Sequence, residues 1–299
     1  MLEPMVLPSP PGMKTAAGIS YCSFGELLQG VLHEDDADFL VTLPIQKYSV
    51  SYFVPDFDKT EIHTIPSVKT KAAALARIIL KHYGQGMGGT FYIDCDIPSG
   101  KGLSSSSADL LATARAVETY MGKELPLSDL CSYMSDIEPT DGVMYPESVV
   151  YLQRKGRLWS RLGRLSDVQI LSLDEGGTVD TLEYHRRGLA HQHNHEHRDE
   201  FNQLLDRIVA AFRNWDVDEI GRVSTRSAYI NQKINPKKHL EVVHEACRAT
   251  NGIGLVTSHS GTCIGILYDI RRPDHQLNLS NATGMLSKYG NVNVYDTVK

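Results

Sequence analysis

The stretch Pro98-Ser99-Gly100-Lys101-Gly102-Leu103-Ser104-Ser105-Ser106-Ser107-Ala108-Asp109 decides how this chain of 299 residues is read. Before it, Phe91, Ile93, Cys95 and Ile97 alternate with Thr90, Tyr92, Asp94 and Asp96, so Thr90 to Pro98 is a strand with one apolar face. After it, Leu110, Ala114, Val117 and Met121 form one stripe of a helix over Ser106 to Met121. A glycine- and serine-rich turn between a strand and a helix suits an anion. Gly100 and Gly102 let the backbone come close to a ligand. The first N–H groups of the helix lack partners, and the helix dipole favours negative charge there. The serine hydroxyls can cap the helix, bind a phosphate oxygen or reach a magnesium ion, and Lys101 adds a positive point charge. Two other phosphate motifs fail: GxxxxGK[ST] has Cys95 for its first glycine and Gly102 after the lysine, and GxGxxG has Ser105 for its last glycine. A serine-rich cap with no ligand is the competing explanation, since serine is a preferred N-cap.

Further from the loop, Val41 to Val54 reads as strands. Ser67 to Tyr83 reads as a helix with Val68, Ala72, Leu75 and Ile79 on one face and Gly84 past its end. Leu127 to Ile137 is helical and stops near Glu138, because Pro139 disfavours helical geometry just before it. Beyond a boundary at Arg161–Asp167, Val168 to Leu173 is a strand. Glu200 to Trp215 is a helix with Phe201, Leu204, Leu205, Ile208 and Phe212 on its apolar side, and Asp216 with Glu219 has capping-box spacing for another. The remainder alternates helix (Lys238–Thr250), strand (Gly254–Thr257), strand (Cys263–Tyr268), helix (Asp274–Tyr289) and strand (Val292–Val298). The length predicts two domains, 15–165 and 166–299, and the mixture of elements predicts an α+β sandwich. Pro8, Pro10, Pro11 and Gly12 suggest a loose N-terminal tail.

Composition narrows the function. The net charge of −6 argues against a nucleic-acid partner, which needs a basic face. Neither a signal peptide nor an apolar run long enough to span a membrane is evident. Five scattered cysteines without a CxxC pair fit a reducing cytoplasm better than a disulfide framework or a zinc site.

The Pro98–Ala108 segment resembles the second motif of the GHMP kinases, Pro-x-x-x-Gly-Leu-(Gly/Ser)-Ser-Ser-Ala. Tyr21-Cys22-Ser23-Phe24-Gly25-Glu26-Leu27-Leu28-Gln29-Gly30 resembles their first motif, and His259-Ser260-Gly261-Thr262-Cys263-Ile264-Gly265 their C-terminal one. Within that superfamily, Gly25-Glu26-Leu27 with Gln29-Gly30, Lys101-Gly102, Glu138-Pro139-Thr140-Asp141 and His259-Ser260-Gly261-Thr262 are most similar to bacterial L-threonine kinases of the propanediol-utilisation and cobalamin-synthesis type. Tyr21 and Cys22 stand where those relatives tend to have Pro-Ala, and Phe24 replaces a smaller residue. The resemblance implies an N-terminal domain related to ribosomal protein S5 domain 2, a ferredoxin-like C-terminal domain, and ATP with its acceptor in the cleft between them.

The activity it implies is ATP- and Mg²⁺-dependent phosphorylation of a free amino acid's side-chain hydroxyl, L-threonine foremost. Homoserine, a specialised-pathway intermediate and a non-catalytic ligand sensor are the alternatives. By motif position, Pro98, Gly100, Lys101, Gly102, Leu103, Ser104, Ser105, Ser106 and Ser107 are expected to hold ATP, with Lys101 on its phosphates. Ser106 and Glu138 are expected to bind Mg²⁺, which takes one or two protein oxygens and completes its shell with phosphate and water. Asp141 is expected to orient the acceptor hydroxyl or take its proton. Glu26, Gln29, Asp141, Ser260, Gly261 and Thr262 are expected to border the acceptor, with Glu26 offering a charged partner for an ammonium group. The expected partner is this small amino acid; a homodimer is also allowed for. His185, His191, His193, His195 and His197 could face a metal together from an extended segment, but their polar surroundings favour a solvated loop.

Overall fold

The computed structural model describes residues 15–178, 189–258 and 260–299; the Pro-rich tail, His185 and His259 lie outside the described residues. The frame is one sheet of ten strands: β1 (Ala16–Val31), β2 (Asp38–Asp56), β3 (Ile62–Ile65), β4 (Gly88–Cys95), β5 (Ser148–Leu152), β6 (Arg157–Gly163), β7 (Val168–Asp174), β8 (Gly254–Thr257), β9 (Cys263–Asp269) and β10 (Asn291–Asp296). Its main path runs β10-β7-β9-β8-β1-β2-β4-β3, with β5 paired to β2 and β6 to β5. The β3–β4 pair is parallel; the other pairs are antiparallel. Eight helices are described: α1 (Thr70–His82), α2 (Ser105–Met121), α3 (Leu127–Ile137), α4 (Leu189–Glu196), α5 (Arg198–Asn214), α6 (Val217–Asn231), α7 (Leu240–Ala249) and α8 (His275–Leu286).

Three apolar clusters fill the interior. Leu75, Ile79, Phe91, Leu110, Leu130 and Tyr151 join α1, α2 and α3 to β4 and β5. Leu27, Leu28, Phe39, Phe201, Leu205 and Ile208 join α5 to β1 and β2. Leu171, Val243, Leu255, Ile266 and Leu286 close the far end beneath α7 and α8. The α5 stripe read from periodicity, Phe201 to Phe212, is buried throughout, and burying each such side chain contributes about 1.5–3 kcal/mol. Asp216 caps α6, its side chain accepting from the Glu219 N–H at 2.9 Å.

Two expectations need correction. Val68 is 78% exposed because α1 begins only at Thr70, so this valine belongs to the loop before the helix and not to its buried face. The histidine-rich segment from 189 onward is helical, neither extended nor a loop. A helix turns about 100° per residue, so alternate histidines diverge and i, i+4 pairs form instead. The His191 and His195 rings lie 6.5 Å apart and those of His193 and His197 4.5 Å apart. His191 Nδ1 meets Asp38 at 3.0 Å, and His193 Nε2 donates to the Ile230 carbonyl at 3.0 Å. Among the described residues no group of three or more His, Cys, Asp or Glu could hold a metal ion.

β1 has no alternating pattern to betray it. From Cys22 to Val31 every residue is buried, polar Ser23, Glu26 and Gln29 included, because α2, α5 and α6 all pack against this central strand. Cys22 and Phe24 lie within the core there, at 1% and 0% exposure.

Candidate active site

A cavity of about 480 Å³ opens where the serine loop meets α1 and the end of α3. One wall is the loop itself, Ser99, Gly100 and Gly102 to Ser107; another is Val68 to Ala72; Asp109, Glu138, Pro139, Asp141, Thr178 and Ser260 complete the lining. Its volume lies in the range of small-ligand pockets.

The serine wall is shaped by backbone. Ser104 adopts the left-handed conformation (φ 60°) at the N-cap of α2 and makes no side-chain capping bond. That conformation costs a non-glycine residue roughly 1–2 kcal/mol, and strain of this kind gathers at ligand sites. The serines therefore do not spend their hydroxyls as caps. Ser106 Oγ donates to Glu138 Oε1, and Ser107 Oγ accepts from the Asp141 N–H at 3.3 Å. Two glycines fix the loop against the C-terminal motif. A Cβ on Gly102 would fall 2.8 Å from the Gly261 Cα, and one on Gly261 would fall 2.1 Å from the Lys101 carbonyl oxygen. The Thr262 N–H donates to that same carbonyl at 3.2 Å.

Glu138 arrives from a different direction. Pro139 makes the helical region unfavourable for it, so α3 ends there with Glu138 extended (φ −161°, ψ 156°). Its carboxylate, 5% exposed, takes the Ser106 hydroxyl on one oxygen and the Lys71 ammonium on the other. Beside it, Asp109 accepts from Ser49 Oγ at 2.7 Å and pairs with Lys69 at 2.5 Å; burial nevertheless pushes its carboxyl pKa up. Asp141 shows the larger perturbation. Burial first, then the nearby Glu26 and Glu138 carboxylates, push it up to about 7, against the opposing hydroxyls of Ser104 and Ser107.

Of the residues singled out from sequence, Gly100, Gly102, Leu103, Ser104, Ser105, Ser106, Ser107, Glu138, Asp141 and Ser260 line the cavity. Glu26 is buried, and its charge raises the Asp141 pKa; it sits in β1 beside Gly25, where the register with β2 shifts. Pro98, Lys101, Gln29, Gly261 and Thr262 are not among the lining residues. The Lys101 ammonium is 2.7 Å from Asp174 and donates to the Gly177 carbonyl at 2.9 Å. Thr262 Oγ1 donates to the other Asp174 oxygen at 2.7 Å, so these three residues tie the loop to the end of β7. Gln29 Nε2 donates to Asn231 Oδ1 at 3.3 Å. The Gly261 carbonyl accepts from the buried Lys237 ammonium and from Asn235 Nδ2 at 3.1 Å; burial lowers the Lys237 pKa to about 8. Sequence reading missed Lys69 and Lys71, the cations that do line the cavity. The available signal was two lysines in the first turn of a helix with no acidic residue there, against the preference of the helix dipole.

Residues 70–145 match the family model of the GHMP kinases N terminal domain. The chain is 24% identical over 256 residues to an L-threonine kinase of Citrobacter freundii, covering 84% of this chain and 86% of that protein. It is 25% identical over 266 residues to an L-threonine kinase of Salmonella typhimurium, covering 84% and 82%. Its fold matches that of the L. major mevalonate kinase solved with R-mevalonate, at a TM-score of 0.71 and 14% identity over 98% of this chain and 99% of that one. Homoserine kinase from Cytophaga hutchinsonii matches at a TM-score of 0.71 and 13% identity over 98% of both chains. No helix among the described residues is long and apolar enough to cross a membrane.

Proposed function

We propose that this chain is a GHMP kinase that transfers the terminal phosphoryl group of ATP to the side-chain hydroxyl of free L-threonine, giving O-phospho-L-threonine. The observation that carries the reading is the meeting of Ser106, Glu138 and Asp141 at one cavity bordered by the serine loop. The relatives named L-threonine kinase support the acceptor. The cleft reading places ATP between parts 15–165 and 166–299.

Phosphoryl transfer depends on positioning and charge stabilisation more than on covalent chemistry. The loop from Gly100 to Ser107 brings backbone N–H groups and hydroxyls to the phosphates, at the positive end of α2. Ser106 Oγ and the Glu138 carboxylate form a hard-oxygen pair that fits Mg²⁺, and they would hold it against the phosphates. When bound, Mg²⁺ would supply Lewis-acid stabilisation of charge on the phosphoryl oxygens. Asp141, with a pKa near neutrality, is suited to accept the acceptor's proton. Glu26, whose charge reaches Asp141, would bind the amino acid's ammonium group, and Ser260 would border the acceptor. Gln29, Gly261 and Thr262 would support that border from behind through their bonds to Asn231, Lys237 and Asp174.

The test is ADP release from Mg-ATP with L-threonine, L-serine, L-homoserine and no acceptor, with Ser106→Ala in parallel. Threonine-dependent turnover, lost in the variant, is expected. Turnover with homoserine alone would move the acceptor. ATP binding without turnover on any of the three would sink the threonine assignment and favour a ligand sensor.

A further inference from the structure

The two lysines of the cavity sit at an unfavourable place. Lys69 is the N-cap of α1 and Lys71 lies two residues into the helix, and the first turn holds no acidic side chain. A cation at the positive end of a helix dipole is disfavoured, so something outside α1 must compensate. For each lysine that partner is a carboxylate on another element: Asp109 in α2 for Lys69, and Glu138 at the end of α3 for Lys71.

The two pairs are built differently. Lys69 is 16% exposed, and Asp109 has a further fixed partner in Ser49, so that pair is an enclosed strut. Lys71 is 34% exposed and lines the cavity, and it uses one oxygen of a carboxylate whose other oxygen already takes Ser106. On the proposed function, on which this inference rests, Ser106 and Glu138 are the oxygens that hold the metal. An ammonium on the same carboxylate then competes directly with a divalent cation. A lysine ammonium on its flexible stem is a mobile point charge that serves phosphate equally well.

We propose that Lys71 is a displaceable counter-ion. In the nucleotide-free protein it neutralises Glu138, and when a magnesium nucleotide enters it swings from Glu138 to the terminal phosphate oxygens. Lys71 thus does two opposite things. It weakens binding of a bare divalent cation, by occupying the carboxylate. It strengthens binding of the nucleotide, by adding a charge-assisted bond to the outer phosphates. A residue that merely braces α1 against α3 would do neither selectively.

The experiment measures binding, so an incorrect acceptor leaves it intact. Mn²⁺ affinity without nucleotide is followed by electron paramagnetic resonance, and ATP, ADP and AMP affinities with Mg²⁺ by calorimetry. The proteins are wild type, Lys71→Met and Lys71→Arg. Lys71→Met is expected to bind Mn²⁺ more tightly than wild type and to lose about 10- to 100-fold in ATP affinity, the range of a hydrogen bond to a charged group. AMP, which lacks the outer phosphates, should change less than threefold. Lys71→Arg keeps the charge and the pairing with Glu138, so it guards against a folding defect and should retain most of the ATP affinity. Unchanged or weaker Mn²⁺ binding in Lys71→Met, or equal losses for ATP and AMP, would overturn the proposal. So would loss of ATP affinity in a folded Lys71→Arg as large as in Lys71→Met. A wild-type protein that binds ATP but phosphorylates none of the acceptors would fail the proposed function alone; one that binds no ATP would fail both.

Discussion

The two walls of the cavity solve one electrostatic problem in different ways. The serine wall, Gly100 to Ser107, offers oriented N–H groups and hydroxyls at the start of α2, a fixed and nearly uncharged cradle. The α1 wall offers full positive charges on buried carboxylates, Lys69 enclosed on Asp109 and the more exposed Lys71 on Glu138, which the proposal makes displaceable. The first wall is rigid because glycines at 102 and 261 allow backbone to touch backbone. The second is adjustable because its charges end long side chains. Backbone dipoles give precise placement at no cost of neutralisation; side-chain cations give charge that can relocate.

The largest effect is expected where the walls meet. Asp141→Asn should lower kcat by about 10²–10⁴-fold, the range of general acid–base assistance, with ATP affinity little changed. In the wild type kcat/KM should rise with pH to a plateau above about 7, as the raised Asp141 carboxyl ionises, and this limb should vanish from the residual activity of the variant. The same shift has a sign in stability. A carboxyl held above its unfolded value of 3.8 destabilises the fold as pH rises from about 4 to about 7. Asp141→Asn should therefore unfold at a higher temperature than wild type at pH 8, and the gain should fade toward pH 4. A pH-independent rate in the wild type would break the assignment.

Next in size is the rigidity of the serine wall. Gly261→Ala places a methyl against the Lys101 carbonyl and should cost about 1–3 kcal/mol in urea unfolding, the range of an overpacked site. It should also weaken ATP more than L-threonine. Unchanged stability would mean the two loops can part freely. The smallest effect separates the lysines. Lys101→Met removes the tie to Asp174 and Gly177 but no cavity cation, so ATP affinity should fall by less than the about 10-fold lower bound set for a charged hydrogen bond at Lys71. An equal or larger loss at Lys101 would show that its ammonium turns into the cavity when nucleotide binds, the role its motif position suggests.

The sequence determined whatever depends on neighbours along the chain. β4, the serine loop and α2 follow from alternation passing into helical spacing through Gly100 and Gly102, and α3 ends at Glu138 because Pro139 follows. The apolar stripe of α5 and the Asp216 cap of α6 are equally local. Family motifs marked Ser106, Glu138 and Asp141, but their grouping at one cavity is a product of packing. So is everything carried by distant pairs. Tertiary structure alone brought Lys71 to Glu138, 67 residues away, and turned Lys101 to Asp174. It also buried β1 so fully that no pattern of alternation remained, and wound the histidines into α4, where their spacing of two no longer shares a face. The physical reason is the same throughout: dihedral preferences and caps act within a turn or two of chain, whereas a charge chooses its partner only after the elements carrying both have packed.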